Sequence, residues 1–152
     1  SFIAAALVAP LFALFLAIRF NTGDFEISAM RFAAVETIAY VIAWLIFPLI
    51  MFHICQAIER EQEFIGYIVA YNWSAGISIG IYLIVLVLRL PGIVPDGIMA
   101  FFSFIALVVI LSYHWYILRI GLEVSPGAAA GLVACDFVLG QAISGISRIM
   151  LY

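Results

Sequence analysis

Four side chains that could do chemistry lie inside otherwise apolar stretches: His53, Asn72, His114 and Asp136. A carboxyl group near imidazoles can bind an ion or pass on a proton, and two histidines can ligate one b-type haem iron. Ionisable groups are costly inside a bilayer, so each is a functional candidate by default. The chain contains no Ser-His-Asp pattern, glycine-rich phosphate loop or His-x-x-x-His spacing, so the sequence predicts no enzyme.

Asp136 shares a helical face with Ala129, Gly140 and Ser147, at offsets of seven, four and eleven residues. Small residues let helices approach closely, so we expect Asp136 to point into a helix bundle. One interpretation is an ion or proton site. The other is a structural carboxyl group, protonated and hydrogen-bonded to Asn72, to a histidine or to a backbone carbonyl.

The two histidines lie at matched depths, His53 ~9 Å from Glu59 and His114 ~8 Å from Arg119 along their helices. A haem between them is therefore one hypothesis, in which His53 and His114 ligate the iron from opposite sides. Membrane histidines more often hydrogen-bond across helices. We therefore expect no cofactor and no metal.

Composition sets the class of protein. The 152 residues are 68% hydrophobic and 10% charged, whereas soluble domains are about 45–50% apolar and about 25% charged. This predicts a polytopic membrane protein whose first partner is the lipid bilayer. Six scattered arginines and a net charge of −3 give no electrostatic footprint for nucleic acid. The absence of lysine is a hint of a bacterial source, and hence of the bacterial inner (cytoplasmic) membrane.

The most polar stretch, residues 59–63, separates two apolar runs that each exceed the roughly 20 residues needed to cross a bilayer. The sequence predicts an all-α transmembrane bundle, a single domain over residues 1–152. Its five spans are residues 2–18, 29–58, 64–88, 98–118 and 126–150. Residues 2–18 lack the basic segment of a signal peptide, which favours a true span. Ser28 and Ser125 are predicted N-caps, the latter followed by Pro126 at the first helical position.

Alternation places the N-terminus and the turns near residues 59 and 122 on one side, which we call face A. The other two connections and the C-terminus lie on face B. Face B carries four of the six arginines, so the positive-inside rule favours a cytoplasmic face B.

Small residues indicate helix contacts. Gly76 and Gly80 form a small-xxx-small pattern in the third span, and Gly140 lies on the Asp136 face. With short loops and no chemical motif, this predicts a non-catalytic accessory, assembly or membrane-organising subunit that contacts other membrane proteins in a larger complex or a second copy of itself. Two alternatives remain: a small transporter or proton-linked permease using Asp136, and a b-type haem electron-transfer subunit using His53 and His114.

The segment at residues 115–129 reads Trp-Tyr-Ile-Leu-Arg-Ile-Gly-Leu-Glu-Val-Ser-Pro-Gly-Ala-Ala. It resembles the junction before the last span in the Yip-domain family of small five-span membrane proteins. The similarity in size and span number covers the whole chain, and that in residues covers 104–139. The resemblance implies a non-enzymatic membrane-organising or partner-binding protein. It also implies a cytoplasmic N-terminus, opposite to the arginine count.

Overall fold

Five α-helices make up almost all of the chain in the computed structural model, which describes residues 2–23, 27–90 and 94–151. Within those ranges there is no strand, which confirms the all-helical class. The helices are α1 Phe2–Thr22, α2 Ala29–Ala57, α3 Glu61–Leu88, α4 Asp96–Gly121 and α5 Pro126–Leu151. Each begins and ends within four residues of a predicted span.

Four of the helices are long and apolar enough to cross a membrane: α2, α3, the Gly97–Gly121 part of α4, and α5. In α1 the corresponding apolar segment, Leu7–Thr22, is shorter. At 1.5 Å per residue, each of the four longer helices has a length of about 38–44 Å.

Two helices begin at the predicted caps. The Ser28 hydroxyl accepts a hydrogen bond from the Arg31 N–H at 3.3 Å. The Ser125 hydroxyl accepts one from the Ala128 N–H at 3.2 Å, and Pro126 is the first residue of α5. Each serine satisfies a backbone donor that the helix itself leaves without a partner.

The turn between α2 and α3 has only three residues. The Arg60 N–H donates to the Cys55 carbonyl at 2.8 Å and the Glu59 N–H to the Gln56 carbonyl at 3.3 Å, the two bonds of a Schellman motif. Glu59 has a left-handed φ of 57°. The predicted polar loop is therefore shorter than residues 59–63, because Glu61 and Glu63 already lie in the first turn of α3.

Helices α2 to α5 form a ring, and α1 packs against the ring. Contacts join α2 to α3, α3 to α4, α4 to α5 and α5 to α2, while α1 packs mainly on α3 and also touches α2. At face A, Arg60 forms an ion pair with Glu123 at 2.8 Å, which joins the α2–α3 and α4–α5 turns. The two connections at face B lie partly outside the described residues, at 24–26 and 91–93.

Two apolar clusters hold the ring together. The larger, which we call the face A core, is built around fully buried side chains that include Met51, Cys55, Tyr67 and Leu122. The smaller, the face B core, contains Leu16, Phe32 and Leu151. Helical periodicity explains the α2 part of the face A core, since Met51 and Cys55 are one turn apart. The middle of the bundle lies between these two cores.

The glycines differ in what surrounds them. A Cβ added at Gly76 would lie 3.3 Å from Val8 Cγ2, so α1 and α3 pack closely there. At Gly80 and Gly140 it would meet no described atom within 4 Å, so neither is a close contact inside the described chain. A Cβ added at Gly121, which the sequence does not mark as a contact, would lie 3.5 Å from Tyr67 Cα, so α4 packs closely on α3 there.

Candidate functional site

Asp136 lies half-way along α5 in a cluster with residues of α3 and α4. The Tyr71 hydroxyl donates to Asp136 Oδ1 at 3.1 Å, and His114 Nδ1 is 3.4 Å from Asp136 Oδ2. The Ser74 hydroxyl donates to the Tyr71 carbonyl at 2.7 Å and is 3.3 Å from His114 Nε2. We call these four residues the Asp136 cluster. Asp136 thus points towards the other helices, as its helical face predicts.

The hydrogen bonds of the cluster indicate where its protons lie. Ser74 has one hydroxyl proton and gives it to the Tyr71 carbonyl, so towards His114 Nε2 it can only accept. With the hydroxyl in this orientation, Nε2 carries a proton and donates it to Ser74. His114 Nδ1 and Asp136 Oδ2 face each other, and two unprotonated atoms there would repel. One further proton between them makes the contact favourable, either on the imidazole or on the carboxyl group.

This cluster forms part of the wall of a cavity in the middle of the bundle. The cavity has a volume of about 360 Å³ and receives side chains from all five helices. The side chain of Asp136 retains 18% exposure and that of His114 15%. Both therefore keep some surface on the cavity side, where a small ligand could reach them.

One wall group has no partner inside the described chain. Ser78 is about nine-tenths buried, lines the cavity, and its hydroxyl makes no hydrogen bond with any described residue. Buried polar groups usually have a partner, so this hydroxyl is available to water or to a ligand. It lies one turn beyond Ser74, since the two residues are four apart on α3.

The structure places His53 on the outer side of α2, where its side chain is exposed beside Phe52, with ring centroids 5.7 Å apart. Two residues along a helix rotate the side chain by about 200°, so a residue midway between the buried Met51 and Cys55 must face outwards. Both ring nitrogens of His114 already have neighbours in the Asp136 cluster. The structure therefore does not bring His53 and His114 together as a haem site would require.

Asn72 is buried on α3, and its side-chain oxygen accepts a hydrogen bond from Trp44 Nε1 at 2.9 Å. This bond joins α2 to α3 beside the cavity. Among the described residues no group of three or more His, Cys, Asp or Glu side chains could hold a metal ion.

A second buried acid lies nearer face B. Glu36 accepts from Arg19 at 2.7 Å and from the Ser147 hydroxyl at 2.8 Å, which joins α1, α2 and α5. We call these three residues the Glu36 cluster. From the sequence, Glu36 is predicted to be an interfacial group near face B that snorkels to the membrane surface or pairs with Arg31. Arg31, only five residues from Glu36, instead donates to the Met150 carbonyl at 3.0 Å.

Sequence reasoning also missed Tyr71 and Ser74 as site residues, although a signal was present. Tyr67, Tyr71, Ser74 and Ser78 follow one another on α3 at intervals of four, three and four residues. That spacing places a row of hydroxyl groups on one helical face. Tyr67 is fully buried at the face A end of this row, and its hydroxyl has no partner among the described residues.

Comparison of the chain with protein-family models, with curated proteins and with solved structures gave no match. The resemblance to the Yip-domain family therefore stays a prediction, and the proposals below depend on the geometry of this chain alone.

Proposed function

We propose that this chain is an integral membrane protein, with α1 as a fifth span, that carries a small solute through the bundle in exchange with a proton. The proposed membrane is the bacterial cytoplasmic membrane, and the protein is not an enzyme. The apolar lengths of α2 to α5 support insertion. Packing of α1 on α3 supports its crossing beside them.

The observation that carries this proposal is the 3.4 Å contact between Asp136 Oδ2 and His114 Nδ1 in the wall of the cavity. A proton site and a space for a solute are the two parts that a proton-linked carrier needs. A purely structural carboxyl group is usually closed off by its partners, whereas Asp136 and His114 keep part of their surface free. Intramembrane ionisable groups that face a cavity commonly mark a substrate or proton pathway.

The cluster can also link the proton to the solute. Loss of the shared proton leaves a net negative charge on the pair, and its return removes that charge. A solute that interacts differently with these two forms shifts the equilibrium between them, which is the thermodynamic requirement for coupling.

Reconstitution into lipid vesicles tests the proposal. Vesicles with an imposed pH gradient and a lumenal pH dye are offered radiolabelled small cations, anions and neutral solutes in turn. We expect uptake of at least one class, accompanied by proton movement, in the wild type. Asp136→Asn should abolish both signals, while Glu61→Gln, which changes an acid in the first turn of α3, should retain them. Equal flux in wild type and Asp136→Asn would reject the proposal.

A second candidate function, the accessory subunit, is favoured by glycines with open surroundings. Gly80 on α3 and Gly131 and Gly145 on α5 have no described atom within 4 Å of an added Cβ. A helix of a partner protein or of a second copy can approach closely at such positions. Gly80→Leu and Gly131→Leu should then reduce the native size in mild detergent. A monomer of unchanged size in wild type and both variants would exclude this function.

A further inference from the structure

We infer that the cavity binds an organic cation with an apolar body, and that Asp136 is its counter-charge. This inference names the substrate class of the carrier proposed above and depends on that function for its role. Three features support it: the charges at the cavity, the composition of its walls, and the contact between Asp136 and His114.

Asp136 is the only acid among the described residues that line the cavity. No lysine occurs in the chain, and none of the described residues lining the cavity is an arginine. Three of the arginines are engaged elsewhere: Arg19 with Glu36, Arg60 with Glu123, and Arg31 with the Met150 carbonyl. An anion entering the cavity would therefore meet Asp136 and no fixed cation, which costs free energy, whereas a cation would gain the carboxylate.

The walls favour a cation that is otherwise apolar. Eight of the 24 lining residues are Phe, Tyr or Trp, one third, against 15% of the whole chain. These rings come from α1, α2, α3 and α5, as Phe12, Tyr40, Tyr82 and Phe137 illustrate. Aromatic faces attract cations and also bury apolar groups, so they suit a quaternary or protonated amine, or a phosphonium, with hydrocarbon substituents.

The size of the cavity sets an upper limit on the ligand. About 360 Å³ lies near the lower end of the range of pockets that hold drug-sized molecules, roughly 300–1,000 Å³. A single charged centre with a few apolar arms fits this range, and the unpartnered Ser78 hydroxyl offers one hydrogen bond. Long peptides and sugars, which need many polar partners, do not match these walls.

We expect a proton of the Asp136–His114 pair to exchange with the organic cation. When the cavity holds no ligand, a proton lies between His114 and Asp136; a bound organic cation supplies the positive charge instead, and the proton leaves to solvent. The other titratable groups described near the pair or along the cavity are tyrosines, namely Tyr67, Tyr71 and Tyr82 on α3 and Tyr40 on α2. Because neutral tyrosines add no charge, the pair alone determines how acidification competes with the cation.

Equilibrium dialysis of the purified chain in mild detergent tests the inference with two ions of the same shape. Tetraphenylphosphonium is the cationic probe and tetraphenylborate the anionic one. We expect saturable 1:1 binding of the cation at pH 8, weaker binding at pH 5, and release of a proton on binding. The anion should bind at least about tenfold more weakly. In Asp136→Asn, the preference for the cation should disappear.

Two controls separate charge from shape. Gly140→Leu keeps Asp136 but adds a side chain at a cavity-lining position with open space, so it should weaken binding of the cation. Gly80→Leu adds the same side chain at an open position outside the cavity lining and should leave binding unchanged.

The binding and flux measurements distinguish a wrong cation site from a wrong carrier function. Saturable cation binding that depends on Asp136, without flux in vesicles, would retain the cation site and reject the carrier. Flux of an anion or a neutral solute that depends on Asp136, with no preference between the two probes, would retain the carrier and overturn the cation site. Equal binding of the cation by wild type and Asp136→Asn would also overturn it.

Discussion

Two part-buried acids of the bundle, Glu36 and Asp136, have different kinds of partner. Glu36 accepts two short hydrogen bonds, from the permanently charged Arg19 at 2.7 Å and from Ser147 at 2.8 Å. Asp136 has longer contacts, 3.1 Å to Tyr71 and 3.4 Å to His114. Arginine keeps its proton at any physiological pH, whereas histidine can give its proton up. A carboxylate held by arginine is fixed in charge, and one held by histidine can change its charge.

The surroundings of the two acids differ in the same sense. The Glu36 side chain is only 11% exposed and ties three helices together close to the face B core. Asp136 lies in the wall of the cavity between the two cores. We therefore expect Glu36 to act in the stability of the fold and Asp136 to act in the proposed carrier function.

The largest expected effect is on stability and comes from Glu36→Ala. The change leaves Arg19, whose side chain is 29% exposed, without its carboxylate. Removing one partner of a buried ion pair typically costs about 3–5 kcal/mol, and we expect the lower end because Arg19 is partly exposed. The free energy of unfolding, measured by SDS titration in mixed micelles with circular dichroism, should fall accordingly.

Two companion variants show whether this loss is specific to the ion pair. In the double variant Arg19→Leu with Glu36→Leu, both charges are gone and most of the stability should return. Asp136→Asn should change the free energy of unfolding by less than about 1 kcal/mol, because the amide can still accept from Tyr71. A loss in Asp136→Asn as large as in Glu36→Ala would remove the distinction between the two acids.

The helices were predictable from the sequence because long apolar runs and serine caps are local signals. The direction of Asp136 was predictable for the same reason, from residues on its own helix. The partner of Glu36 was not, because Arg19 and Ser147 lie on α1 and α5 and meet it only when the helices are assembled. Sequence separation alone would have favoured Arg31, which in the structure binds a carbonyl of α5 instead.

The next largest expected effect is a difference in the free energy of unfolding between two leucine variants. One leucine is placed at a closely packed glycine near α1, and the other at an open glycine beside Asp136. Gly76→Leu and Gly140→Leu gain the same helix propensity, about 1 kcal/mol, so their difference isolates packing. At Gly76 the new side chain meets Val8, and overpacking should cost about 1–3 kcal/mol. At Gly140 it enters the cavity, so stability should be unchanged or increased. The same SDS titration measures both variants.

Equal losses in the two leucine variants would mean that the space beside Gly140 is closed in the folded protein, and with it the route of a ligand to Asp136. The exposed position of His53 illustrates why such space could not be read from the sequence. Depth along a helix follows from residue number, but the side of the helix that faces a neighbour depends on how the helices pack. The cavity is a property of five packed helices and has no local signature.

The smallest expected effects on stability come from removing the hydroxyl groups that donate to the two acids. Ser147→Ala removes a bond to a carboxylate whose charge is fixed by Arg19, so we expect a loss of about 1.5 kcal/mol. Tyr71→Phe removes the corresponding bond to Asp136, whose shared proton reduces its charge and whose remaining surface faces the cavity. We expect a loss of only about 0.5–1 kcal/mol in the same titration. In cation binding the order should reverse, since Tyr71 orients Asp136 and lines the cavity while Ser147 does neither. If Ser147→Ala weakened binding of tetraphenylphosphonium as much as Tyr71→Phe did, the two acids would act as one unit, and the division between them would have to be given up.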